Sequence, residues 1–201
     1  MRTIAVLLLC VAPSLVQAFS AGGHRIIAEI AWRQLDKTTR AELVGILKQH
    51  PRLRQDFVDK MPESVREGTQ ELRDHWLFLE AGVWPDTVRG LKGEERQKYH
   101  RGPWHYVNFP TYLEDTDGAA LDLANVNLAT SVAIGFHDDP NFNIIQAIKV
   151  NLAGLRDSSR SDAERAINLC WISHLVADAH QPLHSTALFT TKLFPDGDRG
   201  G

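Results

Sequence analysis

Apolar residues recur at helical spacing along most of the chain. In residues 24–35 they occupy positions 26, 27, 30, 31 and 35, which form one face of an α-helix. A second helix is predicted to begin at a cap formed by Asp36 or Thr38 and to end before Pro51. The same spacing predicts further helices in residues 63–79, 141–155 and 161–179, the last opening with a Ser-Asp-Ala-Glu capping box.

Segments that contain proline and glycine separate these helices and are predicted to be loops. They cover residues 82–103 and 109–118. Strand patterns are short and scattered, and the chain has no repeat and no low-complexity segment. The pattern therefore predicts the all-α fold class, in one mainly helical domain.

The N-terminal segment differs from the rest and has the features of a secretion signal. Arg2 precedes an apolar stretch at positions 4–16, and Val16-Gln17-Ala18 offers a small-residue cleavage site. The stretch is shorter than a membrane span needs, which favours a cleaved signal over an uncleaved anchor. We predict a signal peptide at 1–18 and a domain at 19–201 that begins with the free amine of Phe19. Such a protein would be secreted or periplasmic, with no membrane attachment after cleavage.

The charge distribution contains no basic surface stripe. The formal net charge is −3 at pH 7, and no run of lysine and arginine stands out. A polyanionic substrate would have to be held by something other than a lysine-rich surface. No stable protein partner is predicted.

Histidines and an aspartate cluster near the end of the last predicted helix. His174 and Asp178 are four residues apart, so they project from one helix face. Such a pair alone is more often a structural ion pair than a metal site. Pro182 should end the helix, which leaves His184 on a loop that can return to the same face. His180 points to another side and is interpreted as structural.

Three other segments place metal-capable side chains at helix starts or in loops. His24 follows two glycines, Asp86 and Arg89 follow Trp84-Pro85, and His105 follows a tryptophan. Each has a simpler explanation: core packing of the tryptophans, a local Asp86–Arg89 salt bridge, and a helix-start role for His24. Together with the helix pair and His184 they supply two aspartates and four histidines, the nitrogen and oxygen ligands that zinc favours.

Five segments that span residues 19–201 carry a family resemblance. They are Phe19-Ser-Ala-Gly-Gly-His24, Trp84-Pro-Asp-Thr-Val-Arg89, Trp104-His-Tyr-Val-Asn108, His174-Leu-Val-Ala-Asp178 with Ala-His-Gln-Pro-Leu-His184, and Gly197-Asp-Arg-Gly-Gly201. In this order they resemble the zinc-dependent, single-strand-specific nucleases of the mung-bean type, which share a mainly helical fold with bacterial zinc phospholipase C. Each segment is weak alone, whereas five in family order make a specific match.

The resemblance implies three zinc ions and their ligands. The first zinc would be held by two aspartates and two histidines: Asp86, His105, His174 and Asp178. The second would be held by the N-terminal residue and two side chains: the amine and carbonyl of Phe19, His24, and Asp178 as a shared carboxylate. The third would use His184 with a histidine and an aspartate from a later segment.

The chain departs from the family pattern in two places. Family members typically begin with tryptophan, and Phe19 stands there instead. Because backbone atoms are the expected ligands, this change should affect ring packing only. The sequence stops at Gly201, where family members continue, so we expect two zinc sites with all their ligands and a third that is incomplete.

The resemblance also implies a reaction. The zinc pair bridged by Asp178 would lower the pKa of a water, Asp86 would orient that water, and Arg89 would contact the phosphate oxygens. Tyr106 is the candidate to stack on an unpaired base and Asn108 to contact its edge.

The expected activity is that of an endonuclease on single-stranded DNA and RNA with 5′-phosphate products, together with 3′-nucleotidase activity. A zinc phospholipase C-like phosphodiesterase and an inactive metal-binding fragment are the alternatives.

Overall fold

A computed structural model of the chain describes residues 20–112, 126–133, 138–195 and 197–198. The predicted signal peptide, Phe19 and the loop residues after position 112 lie outside the described residues.

The described residues form a mainly helical domain. Its α-helices are α1 (Ala21–Gln34), α2 (Lys37–Leu47), α3 (Glu63–Arg66), α4 (Gln70–Ala81), α5 (Trp84–Thr87), α6 (Gly93–Tyr99), α7 (Ile144–Arg156) and α8 (Asp162–Asp178). Shorter helical turns are a π-helical turn at Leu53–Phe57 and 3₁₀ turns at Val58–Lys60, Val88–Gly90, Gly102–His105 and Pro182–His184. Two strands, β1 (Phe109–Tyr112) and β2 (Thr186–Phe189), complete the described elements.

Side-chain caps start α2, α7 and α8, and the caps of α2 and α8 are those that the sequence predicted. Asp36 accepts a hydrogen bond from the Thr39 amide at the start of α2. Asn143 begins α7 and Ser161 begins α8, each with a complete capping box. These caps satisfy amides that a helix N-terminus otherwise leaves without partners. The mainly helical fold class is confirmed.

Three of the predicted segments differ from the structure. Residues 63–79 form not one helix but α3 and α4, because Thr69 caps a new helix by accepting the Leu72 amide. Residues 82–103 are not a loop: they contain α5, α6 and two 3₁₀ turns. These pieces are too short to show a helical repeat in the sequence. The predicted loop at 109–118 begins as strand β1.

Helix α8 lies in the middle of the domain. It packs against α7, α2, α1 and α5 and buries Leu169, Trp171 and Leu175. Each of these side chains contributes roughly 1.5–3 kcal/mol on burial. Because α8 has neighbours on several sides, polar residues that it carries near its end are enclosed as well. None of the helices in the described parts of the chain is long and apolar enough to cross a membrane.

The two-stranded sheet joins distant parts of the chain. β1 and β2 are parallel, with Phe109 opposite Thr186. Just before the strands, the Val107 amide donates to the His184 carbonyl over 2.8 Å. This pairing holds the segment that follows His105 against the turn that carries His184.

His50 is a buried histidine that follows α2. Its Nδ1 accepts a hydrogen bond from the Arg52 amide over 3.1 Å, and its ring contacts Phe57 and Trp84 edge-on. Burial lowers the pKa of His50 to about 4. The folded protein therefore holds this imidazole neutral under conditions in which the unfolded chain would protonate it.

We predict that His50 makes folding stability depend on pH between about 6.5 and 4. In that window the unfolded state binds the extra proton, so the free energy of unfolding falls as the pH falls. His50→Gln should reduce this loss by roughly 1–3 kcal/mol, since one pKa unit corresponds to about 1.4 kcal/mol. Urea unfolding at pH 7 and pH 4.5 in the presence of a chelator measures it.

The exposed His180→Gln variant is the control. An unchanged pH dependence in His50→Gln would contradict the prediction.

Candidate metal centre

Helix α8 supplies two side chains of the candidate centre from its last turn. His174 and Asp178 are both buried, and His174 Nε2 lies 3.0 Å from Asp178 Oδ2. The i, i+4 spacing places them on one face, as the sequence predicted. His180 lies beyond the helix and is exposed, with its Nδ1 2.7 Å from the Val176 carbonyl.

Three more histidines reach Asp178 from separate elements. His105, in the 3₁₀ turn Gly102–His105, has its Nδ1 3.0 Å from Asp178 Oδ2. His24, in the first turns of α1, has its Nε2 3.5 Å from Asp178 Oδ1. His184, in the turn after α8, has its Nε2 3.7 Å from the same oxygen. The loop after Pro182 therefore does return to this face.

Asp86 and Arg89 form the more open side of the centre. Asp86 Oδ2 lies 3.6 Å from His24 Nε2, and the Asp86 side chain is 31% exposed. Arg89 Nη2 donates to Asp86 Oδ1 over 3.0 Å, and the Arg89 side chain is 60% exposed. The local salt bridge considered from the sequence is thus formed.

Two overlapping groups of side chains could hold metal ions. One consists of His24, Asp86 and His174, and the other of His105, His174 and Asp178, all with ligand atoms within 4.8 Å of one another. The sequence-based assignment used the same residues but placed His24 with Phe19 and Asp178. Phe19 lies outside the described residues, and His184 lies next to Asp178 of the second group without belonging to either group.

The protonation states suit metal binding. Burial, together with the nearby His174, lowers the pKa of His24 to about 4, and burial also lowers the pKa of His105. Burial alone would raise the pKa of Asp178, but hydrogen bonds with His105 and His174 outweigh it and hold that pKa below its usual range. Near pH 7 the centre thus presents the neutral imidazoles of His24 and His105 and the ionised carboxylate of Asp178, the forms that bind metals.

The hydrogen bond of His174 tests whether these residues fit a cation. Its Nδ1 lies 2.8 Å from the Gly82 carbonyl, and a carbonyl only accepts, so Nδ1 carries the proton. In the neutral ring, Nε2 then presents a lone pair 3.0 Å from a carboxylate oxygen. Two acceptors at this distance repel unless a proton or a metal ion lies between them. Within the described residues, every ion-pair partner of Asp178 is a histidine. The donor set fits a divalent cation.

The two residues expected to contact a base lie beside the centre. Tyr106 and Asn108 line a cavity of 390 Å³ together with Pro103, Asn127 and Asn141. Asn108 Oδ1 is buried and forms no hydrogen bond with the described residues.

Sequence reasoning missed several groups that support the centre. The Gly82 carbonyl leaves no trace in a side-chain pattern, because any residue would supply it. Asp56, which accepts the indole N–H of Trp84 over 2.9 Å, lies 28 positions earlier in a segment without a helical repeat. The sequence shows only that Asp56 precedes an apolar residue in a short polar stretch.

In the described residues, a mainly helical domain encloses histidines around the buried carboxylate of Asp178. This combination places the chain among mainly helical proteins with a candidate metal centre. The sequence model of one family matches residues 19–201, and the chain belongs to that family, the S1/P1 nucleases. Neither a curated protein nor a solved structure gives a match. The family that the five segments indicated is confirmed. Members of this family are zinc-dependent hydrolases that act on phosphodiester bonds of nucleic acids.

Proposed function

We propose that this protein is a secreted or periplasmic zinc-dependent endonuclease. It cleaves single-stranded DNA and RNA to 5′-phosphate products and also acts as a 3′-nucleotidase. One observation carries the proposal: in a chain of the S1/P1 nuclease family, four histidines converge on the buried Asp178, and Asp86 lies 3.6 Å from one of them, His24. The family match begins at residue 19, which supports cleavage after Ala18 and a free amine on Phe19.

We assign the zinc ligands as the family resemblance implies. One ion is held by Asp86, His105, His174 and Asp178. A second is held by Phe19, His24 and Asp178 as the shared carboxylate. The position of Asp178 between His24 on one oxygen and His105 and His174 on the other supports a bridging role. His184 is assigned to a third ion. Zinc bound here lowers the pKa of water and offsets the negative charge of the phosphate.

The protein's own side chains then orient the reaction. The partly exposed Asp86 accepts a hydrogen bond from the attacking water and so directs it to the phosphorus. Arg89 is anchored to Asp86 and exposed beyond it, so its remaining N–H groups can donate to the phosphate oxygens. Charge-assisted bonds of this kind strengthen as negative charge develops in the transition state.

Selectivity for single strands comes from the cavity beside the centre. Tyr106 stacks on a base, which requires a base face that a duplex does not expose. Asn108, which lines the same cavity, contacts the base edge. The rest of the substrate is drawn to the positive charge of the bound ions rather than to a basic surface.

The mature, zinc-loaded protein should cut single-stranded DNA and RNA and leave a matched duplex and phosphatidylcholine vesicles intact. Gel assays with end-labelled oligonucleotides and a phosphatase-sensitivity test of the new ends measure the products. Hydrolysis of phosphatidylcholine instead of nucleic acid would favour the phospholipase C-like alternative. Zinc binding without cleavage of any of these substrates would indicate a metal-binding protein only.

Metal counting should reveal the shared ligand. Asp178→Asn should lose two zinc ions together, because one neutral amide would replace the carboxylate that both ions use. His184→Ala should keep both of these ions. Atomic emission on the purified variants gives the counts, and circular dichroism confirms that they are folded. Equal losses in the two variants would contradict the bridging assignment.

Arg89→Lys should separate phosphate contact from metal binding. Lysine keeps the positive charge but lacks the planar pair of donors. We expect kcat to fall about 100-fold, the usual effect of removing one donor to a developing charge, with the zinc count unchanged. Arg54→Lys, at an exposed arginine, is the matched control. A parallel loss of zinc in Arg89→Lys would indicate that the residue acts by holding Asp86.

A further inference from the structure

The segment at positions 82–89, which carries Asp86 and Arg89, is held at three points. The Gly82 carbonyl accepts from His174 Nδ1 over 2.8 Å, within the metal centre itself. The Trp84 indole N–H donates to Asp56 Oδ2 over 2.9 Å. At its other end the Arg89 carbonyl accepts from the guanidinium of Arg96. The last two of these hydrogen bonds are made by residues outside the candidate metal centre.

Asp56 is a buried carboxylate with a full set of partners. Its side chain is 4% exposed, and Arg52 binds it with two hydrogen bonds of 2.6 and 3.0 Å. Burial would raise the pKa of Asp56, but the bonds from Arg52 and Trp84 outweigh it and keep that pKa below its usual range. The indole of Trp84 therefore donates to an ionised oxygen, and such charge-assisted bonds are about twice as strong as neutral ones.

The ring of Trp84 connects the hydrogen bond with Asp56 to the helix that carries Asp86. Trp84 is 1% exposed, and its ring meets His50 at 4.6 Å and Tyr99 at 5.6 Å in edge-on contacts. Asp86 follows two positions later in the same short helix α5. Because the indole is enclosed on its faces and bonded at its nitrogen, the direction of α5 depends on Asp56.

Arg52 is also connected to the hydrogen bond between Arg96 and the Arg89 carbonyl. Besides Asp56, its guanidinium binds Glu95 on α6. Arg96, the next residue on α6, donates to the Arg89 carbonyl. One arginine thus links the start of the segment, through Asp56 and Trp84, to its end, through α6. Within the described part of the chain, the side-chain hydrogen bonds of Arg52 and Asp56 involve no candidate metal ligand.

We propose that Arg52 and Asp56 are positioning residues that set the placement of Asp86 and Arg89 for zinc and phosphate binding. They act through Trp84 on one side and α6 on the other, and they touch neither metal nor substrate. The inference rests on the proposed function only in taking Asp86 as a zinc ligand. The simpler alternative is a buried ion pair that stabilises the fold and does not affect the centre.

Trp84→Phe provides the first test, because it keeps an aromatic ring and removes the indole N–H. We expect zinc affinity at the site that contains Asp86 to fall about 10-fold or more, as is usual when the partner of a metal ligand is lost. Competition with a chromophoric chelator measures the affinity without any nuclease assay. Asp36→Ala, which removes the cap of α2 far from this network, controls for general destabilisation.

The zinc affinities of the two variants distinguish positioning from general destabilisation. Zinc affinity that falls in Trp84→Phe but not in Asp36→Ala supports positioning. Affinity that is unchanged in Trp84→Phe, or reduced equally in both variants, overturns it. Asp86→Asn is measured alongside. If this variant keeps full zinc affinity, Asp86 is not a zinc ligand and this inference fails. If the parent protein binds zinc but cleaves no nucleic acid, the proposed function alone is overturned.

A double-mutant cycle tests the route through Asp56. Asp56→Asn leaves an oxygen for the indole N–H but removes the charge that holds Arg52, so it should weaken zinc binding less than Trp84→Phe does. The double variant should lose less affinity than the product of the two single effects, because the route through the indole hydrogen bond is common to both changes. A loss equal to the product of the two single effects would overturn the coupling. In active protein, kcat should fall along with zinc affinity.

Discussion

A single buried carboxylate organises this domain. Asp178 stands at the end of the central helix α8, away from water and without a lysine or arginine partner among the described residues. A buried charge of this kind is tolerated only when hydrogen-bond donors or a metal surround it. The histidines that approach it come from α1, from the turn before β1, from α8 itself and from the turn before β2. These four elements together enclose Asp178.

The centre combines an enclosed side with an open one. His105, His174 and Asp178 are packed against the core, where a low-dielectric surrounding strengthens the coordination of a metal ion. Asp86 and Arg89 lie at the surface on the short helix α5 and the turn after it. The enclosed candidate ligands thus lie beside polar groups that remain accessible from solvent.

The open side is stabilised from a distance. Short helices such as α5 gain little from their own hydrogen bonds and depend on tertiary packing. In this domain the packing is supplied by the enclosed Trp84 ring and by the buried Arg52–Asp56 pair. The precision of the centre at Asp86 thus depends on residues well outside it.

The sequence by itself determined the local features. Helix caps, the long helices and the shared face of His174 and Asp178 depend on spacings of three or four residues, so they could be read directly. The family was recognisable from five short segments, with the candidate ligands inside them. The division of α3 from α4 and the helices within residues 82–103 could not be predicted, because elements of one or two turns leave no periodic signal.

Only the tertiary structure decided which groups meet. His105 and Asp178 are 73 residues apart, and His174 and the Gly82 carbonyl are 92 apart. Contacts of this range depend on how the whole core packs around α8, and a backbone carbonyl or a buried Asp56 carries no mark of its partner in the sequence. Residue type and spacing can show that a chain is able to bind metal. The convergence of distant elements decides where the site forms and what holds it in place.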